Sequence, residues 1–210
     1  MAESGVEVQM NFAQAIRNAT AVIQATPKQM EVASERAIRK TIRWLSGRVA
    51  RELSQQLGIP QKNLKPRLVV RSVGKGMDKA HILWMGVATM SADLAGKARQ
   101  TRKGVTVGKR KFEGAFLRSV YNPEENVWIR ARRNREQGYM TLSRTRKANH
   151  RSPSPELAGR FPIQRIGVEI ESVATEAFRR LDRRALDRFK TLIEQELNYA
   201  VNHESKKARK

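Results

Sequence analysis

The sequence predicts an α+β fold: a small antiparallel β-sheet packed with two long α-helices, with extended basic loops projecting from it. Three observations carry this expectation. Apolar residues recur at helical spacing near both ends of the chain, short β-rich runs occupy the middle, and the stretches between those runs are dense in Lys and Arg with little to bury. Helices from opposite ends of the chain would then cover one face of the sheet.

The first end reads as helix. Val8 to Gln24 is a modest amphipathic stretch stopped by Thr26-Pro27, and Pro27 suits the first position of a second helix with Thr26 as its cap. Ile38, Ile42, Leu45, Val49, Leu53 and Leu57 then recur every three or four residues, which marks one buried face of a helix over 28–57. Gly58, followed by Ile59-Pro60, ends it.

The middle reads as three or four antiparallel strands. Leu68-Val69-Val70 and the run from His81 to Val87 flank a turn-prone Gly74-Lys75-Gly76-Met77-Asp78. Gly114 to Val120 and Val127 to Ala131 flank the turn Asn122 to Asn126. Residues 97–111 and 132–160 offer little to bury, and loops of this length inside a domain are usually functional or disordered. They are expected to be basic arms. The second end is helical again: Ile170, Ala174, Ala177, Phe178, Leu181, Ala185, Phe189 and Leu192 share one side of a helical wheel. The organisation expected is a single domain over 1–203, followed by a frayed basic tail at 204–210.

Composition narrows the function classes. The 210 residues include 42 Lys and Arg against 20 Asp and Glu, a formal charge of +22. The ends are nearly balanced, while 58–168 holds 24 basic and 7 acidic residues. Such a charge calls for an anionic partner or a neighbouring subunit to screen it. Nucleic acid and an acidic protein surface satisfy the same electrostatics, and the charge alone does not choose between them. Cysteine is absent, which excludes disulfides, thiolate metal sites and cysteine nucleophiles. No apolar run approaches the ~20 residues that span a bilayer, so no membrane partner is expected. The opening residues lack the basic-then-apolar pattern of a secretory signal, so synthesis and use in the cytoplasm are expected.

Catalytic chemistry finds little footing. His81, His150 and His203 fall in a strand, an arm and a helix end, without partners at metal-ligand spacing. Glu124-Glu125 sits in a polar turn beside Pro123, and Gly104-Val-Thr-Val-Gly108 lacks the Gly-Lys-Ser/Thr ending of a phosphate loop. Ser46-Gly47 lies inside a helix rather than at a nucleophile elbow. The expectation is a protein that is not an enzyme and takes no cofactor or metal. Trp44, Trp84 and Trp128 could stack on bases, but their apolar settings favour core or subunit contacts. The candidate contact residues, for DNA phosphates or for neighbouring subunits, are Arg99, Arg102, Lys103, Lys109, Arg110, Lys111, Arg132, Arg133, Arg135, Arg144 and Arg146. No zinc-finger, zipper or RNA-binding-sheet signature accompanies them, so base reading is not expected.

Several short elements follow in order: Arg48-Val-Ala-Arg51-Glu-Leu with Leu57-Gly-Ile-Pro-Gln-Lys62, then Lys111-Phe112-Glu-Gly114-Ala115-Phe116, then Val127-Trp128-Ile129-Arg130, and last Arg160-Phe161-Pro162-Ile163 before a long amphipathic helix. That order resembles the phage minor tail protein Z (tail-completion) family, phage lambda type. The similarity covers approximately residues 30–200. The resemblance implies a minor tail protein of the virion that completes the head-proximal end of the tail, at the neck, after assembly in the host cytoplasm. It implies a ring of copies, six-fold like the tube, meeting the tail terminator, tail tube and head–tail connector proteins. No catalytic residues come with it. The stretch Arg132 to Arg160 departs from the family pattern as an insertion. DNA crossing the junction would be held through phosphates without sequence specificity. Two rivals stand beside this reading: a free, sequence-nonspecific nucleic-acid-binding protein, and an enzyme acting on nucleic acid, for which no clustered acidic or histidine site is found.

Overall fold

The structure is a computed structural model that describes residues 5–23, 25–73, 80–120, 123–142 and 162–204. Its elements, in chain order, begin with β1 (Gly5–Met10), α1 (Ala13–Val22), α2 (Pro27–Leu57), the single turn α3 (Gln61–Leu64), β2 (Leu68–Val73) and β3 (Ala80–Gly86). There follow β4 (Met90–Ser91), β5 (Ala98–Gln100), β6 (Gly104–Val107), β7 (Arg110–Glu113), β8 (Phe116–Arg118) and β9 (Asn126–Arg130). The last are α4 (Ala131–Gln137), β10 (Ile163–Arg165), β11 (Gly167–Val168) and α5 (Glu171–Tyr199). The fold is mixed, with small antiparallel sheets and a long C-terminal helix. The chain divides into two compact units, one built from Gly5–Glu52, Lys65–Gly86 and the residues from Ala174 on, the other from Leu53–Leu64 and Val87–Val173.

In the first unit β3 is the central strand of a sheet ordered β1-β3-β2, antiparallel throughout. The stretch from Val8, expected as helix, is here corrected: residues 5–10 form β1, and helix begins only at Ala13. The cause is visible in Val6-Glu7-Val8-Gln9-Met10, whose period-two alternation puts Val8 and Met10 inside and Glu7 and Gln9 outside. Thr26 and Gln29 close a capping box on α2: the Gln29 N–H donates to Thr26 Oγ1 at 3.4 Å, and the Thr26 N–H donates to Gln29 Oε1 at 2.9 Å. Along α2 the buried ladder is Ala33, Ala37, Thr41, Leu45 and Val49, one residue per turn. Thr41 fits this apolar line because its hydroxyl donates to the Ala37 carbonyl at 2.9 Å.

Helix α5 presents Ala174, Ala177, Phe178, Leu181, Ala185, Phe189 and Leu192 as buried residues. Phe189 stacks on Phe12 with ring centroids 4.0 Å apart. Three contacts run in opposite directions along α2 and α5, so the helices are antiparallel: Gln29 to the Ala200 carbonyl, Lys40 to Glu196, and Glu52 to Arg180.

The second unit holds the remaining strands in three small sheets: β5-β6-β7, β8-β9-β10 and the pair β4-β11. The one sheet of three or four strands expected from the sequence is thus replaced, among the described residues, by several. Residues 97–111, expected as an unpacked arm, are instead the antiparallel meander β5-β6-β7. Val105, Val107 and Phe112 are buried and anchor it, so one face packs although the other is charged. Of the second arm, 131–137 form α4 and 143–161 lie outside the described residues. Trp128 is buried with Val120 and Ile163, and its indole N–H donates to the Arg118 carbonyl at 3.0 Å. Arg165 reaches both carboxylate oxygens of Asp93 at 3.2 Å, tying β10 to the 3₁₀ turn at Ala92–Ala95.

Candidate nucleic-acid interface

The meander sets the geometry of the basic surface. Cross-strand register aligns Arg99 with Thr106 and Thr106 with Lys111, one row across three strands. With strands ~4.8 Å apart, the row is about 10 Å wide. Arg99 and Lys111 are exposed, while Val105 and Phe112, one position along, turn inward and are buried. Thr106 between the two cations avoids the destabilisation of like charges placed directly opposite each other.

The turns extend the charge. Arg102 and Lys103 are exposed in the β5–β6 turn, which is closed by the Thr101 N–H on the Gly104 carbonyl at 2.7 Å. Gly104 is required there, because a Cβ would fall 2.0 Å from the Phe112 carbonyl oxygen of the next strand. Lys109 is exposed in the opposite turn, between β6 and β7.

Helix α4 adds Arg132, Arg133 and Arg135, all three exposed. Two contacts of Tyr139 fix it against β7: its hydroxyl accepts from the Glu113 N–H at 2.9 Å, and its ring meets Phe112 edge-on at 5.4 Å. Asn134 holds that tyrosine by accepting from its N–H and donating to its carbonyl. The Arg133 side chain lies across Gly114, its Cγ and Nε within 2.8 Å of where a Cβ would stand. The arginines of α4 and the end of β7 therefore form one local surface.

Arg110 is different. It is half-buried, and its guanidinium points back to Gly58, the left-handed residue that ends α2, with Nη1 4.0 Å from where a Cβ would sit. A cation there meets the negative end of the helix dipole, so Arg110 serves the fold. None of Arg99, Arg102, Lys103, Lys109, Lys111, Arg132, Arg133 and Arg135 makes an ion pair among the described residues, whereas Arg165 and Arg180 do. Arg144 and Arg146 lie outside the described residues.

The other side chains singled out in the sequence are scattered. His81 is buried in β3 with Nδ1 3.1 Å from the Ser72 hydroxyl, and His203 stacks on Tyr199. His150 lies outside the described residues. Glu124 and Glu125 are exposed. Trp44 and Trp84 are half-buried, with Arg48 and Arg71 over their respective rings at 5.7 and 5.5 Å. Burial lowers the pKa of Arg67, which donates to the Gly86 carbonyl at 3.3 Å. Among the described residues no three His, Cys, Asp or Glu side chains gather as metal ligands, and no helix is long and apolar enough to cross a membrane.

What this arrangement can do chemically is hold anions in a row without reading them. Exposed Lys and Arg that make no ion pair among the described residues, carried on a sheet and on a helix tied to it, suit phosphates spaced along a strand. Comparison with family models, with curated proteins and with solved structures finds no match.

Proposed function

We propose that this chain is a structural, non-catalytic phage minor tail protein that completes the head-proximal end of the tail, with its basic surface toward the leading end of the DNA. One observation carries the DNA contact: the row Arg99–Lys111, the turn cations and the α4 arginines are exposed on one small scaffold and make no ion pair among the described residues. A polymer of phosphates passing the junction would be gripped by such a surface through salt-dependent contacts that carry no sequence information. The tail assignment itself rests on the order of sequence elements described above. On this reading the chain acts as a ring of copies, six being the number that matches the tube, between the tail terminator and the head–tail connector.

The deciding experiment is quantitative mass spectrometry of nuclease-treated, density-purified tails, with this chain counted against the tube protein. About one ring's worth per tail is expected. Absence from tails and virions would overturn the assignment and leave the free, sequence-nonspecific nucleic-acid binder, which the same exposed cations favour.

A further inference from the structure

A second surface, in the first unit, has its own logic. An open groove of about 800 Å³ runs along α2, with Ile38 and Ile42 on the helix side and Val70 and His81 on the sheet side. Val70 is half exposed, on the edge strand β2. Along the helix wall stand Glu31, Glu35, Arg39 and Arg43, one per turn. Two acids are followed by two bases.

This order is unfavourable for a helix on its own. Glu31 with Glu35, and Arg39 with Arg43, are like charges at i,i+4, and each pair disfavours the helix. Only Glu35 and Arg39 are oppositely charged neighbours at that spacing, and among the described residues they form no ion pair. Alternating charges would have suited a solvated face better.

The order becomes favourable against a partner helix that presents the same four charges in reverse. The best candidate is α2 itself, turned around. Glu31 and Arg43 are equidistant from Ala37, as are Glu35 and Arg39. A two-fold axis near Ala37–Ile38 would set Glu31 against Arg43 of the second copy, and Glu35 against Arg39 of the second copy. The two Ile38 side chains, each one position from the axis, would flank it. Every charge on the ladder finds its opposite, and the apolar groove is covered.

We infer that this groove is a self-complementary docking surface for a second copy of the chain, through antiparallel pairing of the two α2 helices about a two-fold axis. The inference stands on the α2 charge order and the groove, and is independent of the basic surface in the second unit.

Sedimentation velocity on the nuclease-treated full chain tests it, with each variant compared to wild type by circular dichroism for retained helicity. The wild type sediments as a dimer. Glu31→Arg/Glu35→Arg makes the ladder all basic and Arg39→Glu/Arg43→Glu makes it all acidic; each alone weakens self-association by at least about tenfold. Mixed one to one, the two restore a dimer. The fourfold exchange of all these charges is again self-complementary and dimerises. A wild type that stays monomeric to ~100 µM, or a mixture that does not associate, overturns the inference. A larger ring whose mass is indifferent to these substitutions also overturns it, while leaving the tail reading intact.

Discussion

Replacing Arg99, Lys111 and Arg133 together with glutamine should flatten the salt dependence of DNA binding by an amount the geometry sets. All three are exposed and make no ion pair among the described residues, two of them on one cross-strand row and the third over the end of β7. Each phosphate that goes unneutralised reduces the slope of log affinity against log salt by ~0.9 on duplex DNA, so the triple variant's slope falls by ~2.7. Between 50 and 200 mM salt that slope corresponds to a ~40-fold fall in affinity, which the wild type suffers and the variant escapes. The assay is fluorescence anisotropy of a labelled duplex of about 30 base pairs, titrated at several salt concentrations with two unrelated sequences. Arg110→Gln is the internal control, because its guanidinium is half-buried and lies beside Gly58 at the end of α2. It should leave the slope unchanged and cost about 0.3–1 kcal/mol of stability. An unaltered slope in the triple variant, or a slope shift in the Arg110 control as large as in the triple, would refute the assignment of the surface.

Further expectations concern the scaffold. Phe189→Ala removes a fully buried ring stacked on Phe12 and should destabilise by about 3–5 kcal/mol, read from urea denaturation. Gly104→Ala forces a Cβ against the Phe112 carbonyl and should cost about 1–3 kcal/mol, with loss of amide protection in β6 and β7 by hydrogen exchange. Lys40→Ala strands the buried carboxylate of Glu196 and should cost about 1–3 kcal/mol, whereas adding Glu196→Leu should recover much of it. Equal losses in Lys40→Ala and in the double variant would show that the stranded carboxylate is not the source of the cost.

Legibility in the sequence followed how each face is used. The α5 stripe was readable because Phe178, Leu181, Phe189 and Leu192 mark it at helical spacing and Ala174, Ala177 and Ala185 fall in line with them, all of them buried. On α2, Leu45, Val49, Leu53 and Leu57 were legible, but Ala33, Ala37 and Thr41 were not, being small or polar although fully buried. Ile38, counted as core, lines the open groove instead. The meander 98–113 was missed because Lys and Arg dominate its composition. Val105-Thr106-Val107 carried the strand signal, since a two-faced sheet needs only alternate residues to pack. That Arg110 differs from its neighbours could not be read from sequence, because its partner is the end of a helix some fifty positions earlier. The opposed charge blocks on α2 were in plain view, but their meaning depends on the groove that only folding creates.

The chain passes between its two units after residues 52, 64, 86 and 173, so neither unit is a contiguous stretch of sequence. This interleaving makes manufacture order matter. The first unit needs α5, which follows β1 by more than 150 residues. At ribosomal speeds of ~5–20 residues per second, Lys40 waits about 8–30 s for Glu196, its partner on α5. During that wait the nascent chain carries a growing excess of positive charge, in a cell full of anionic polymers. A nonsense codon anywhere before α5 therefore leaves Phe12 without Phe189 and Lys40 without Glu196, and neither unit can be produced by simple truncation.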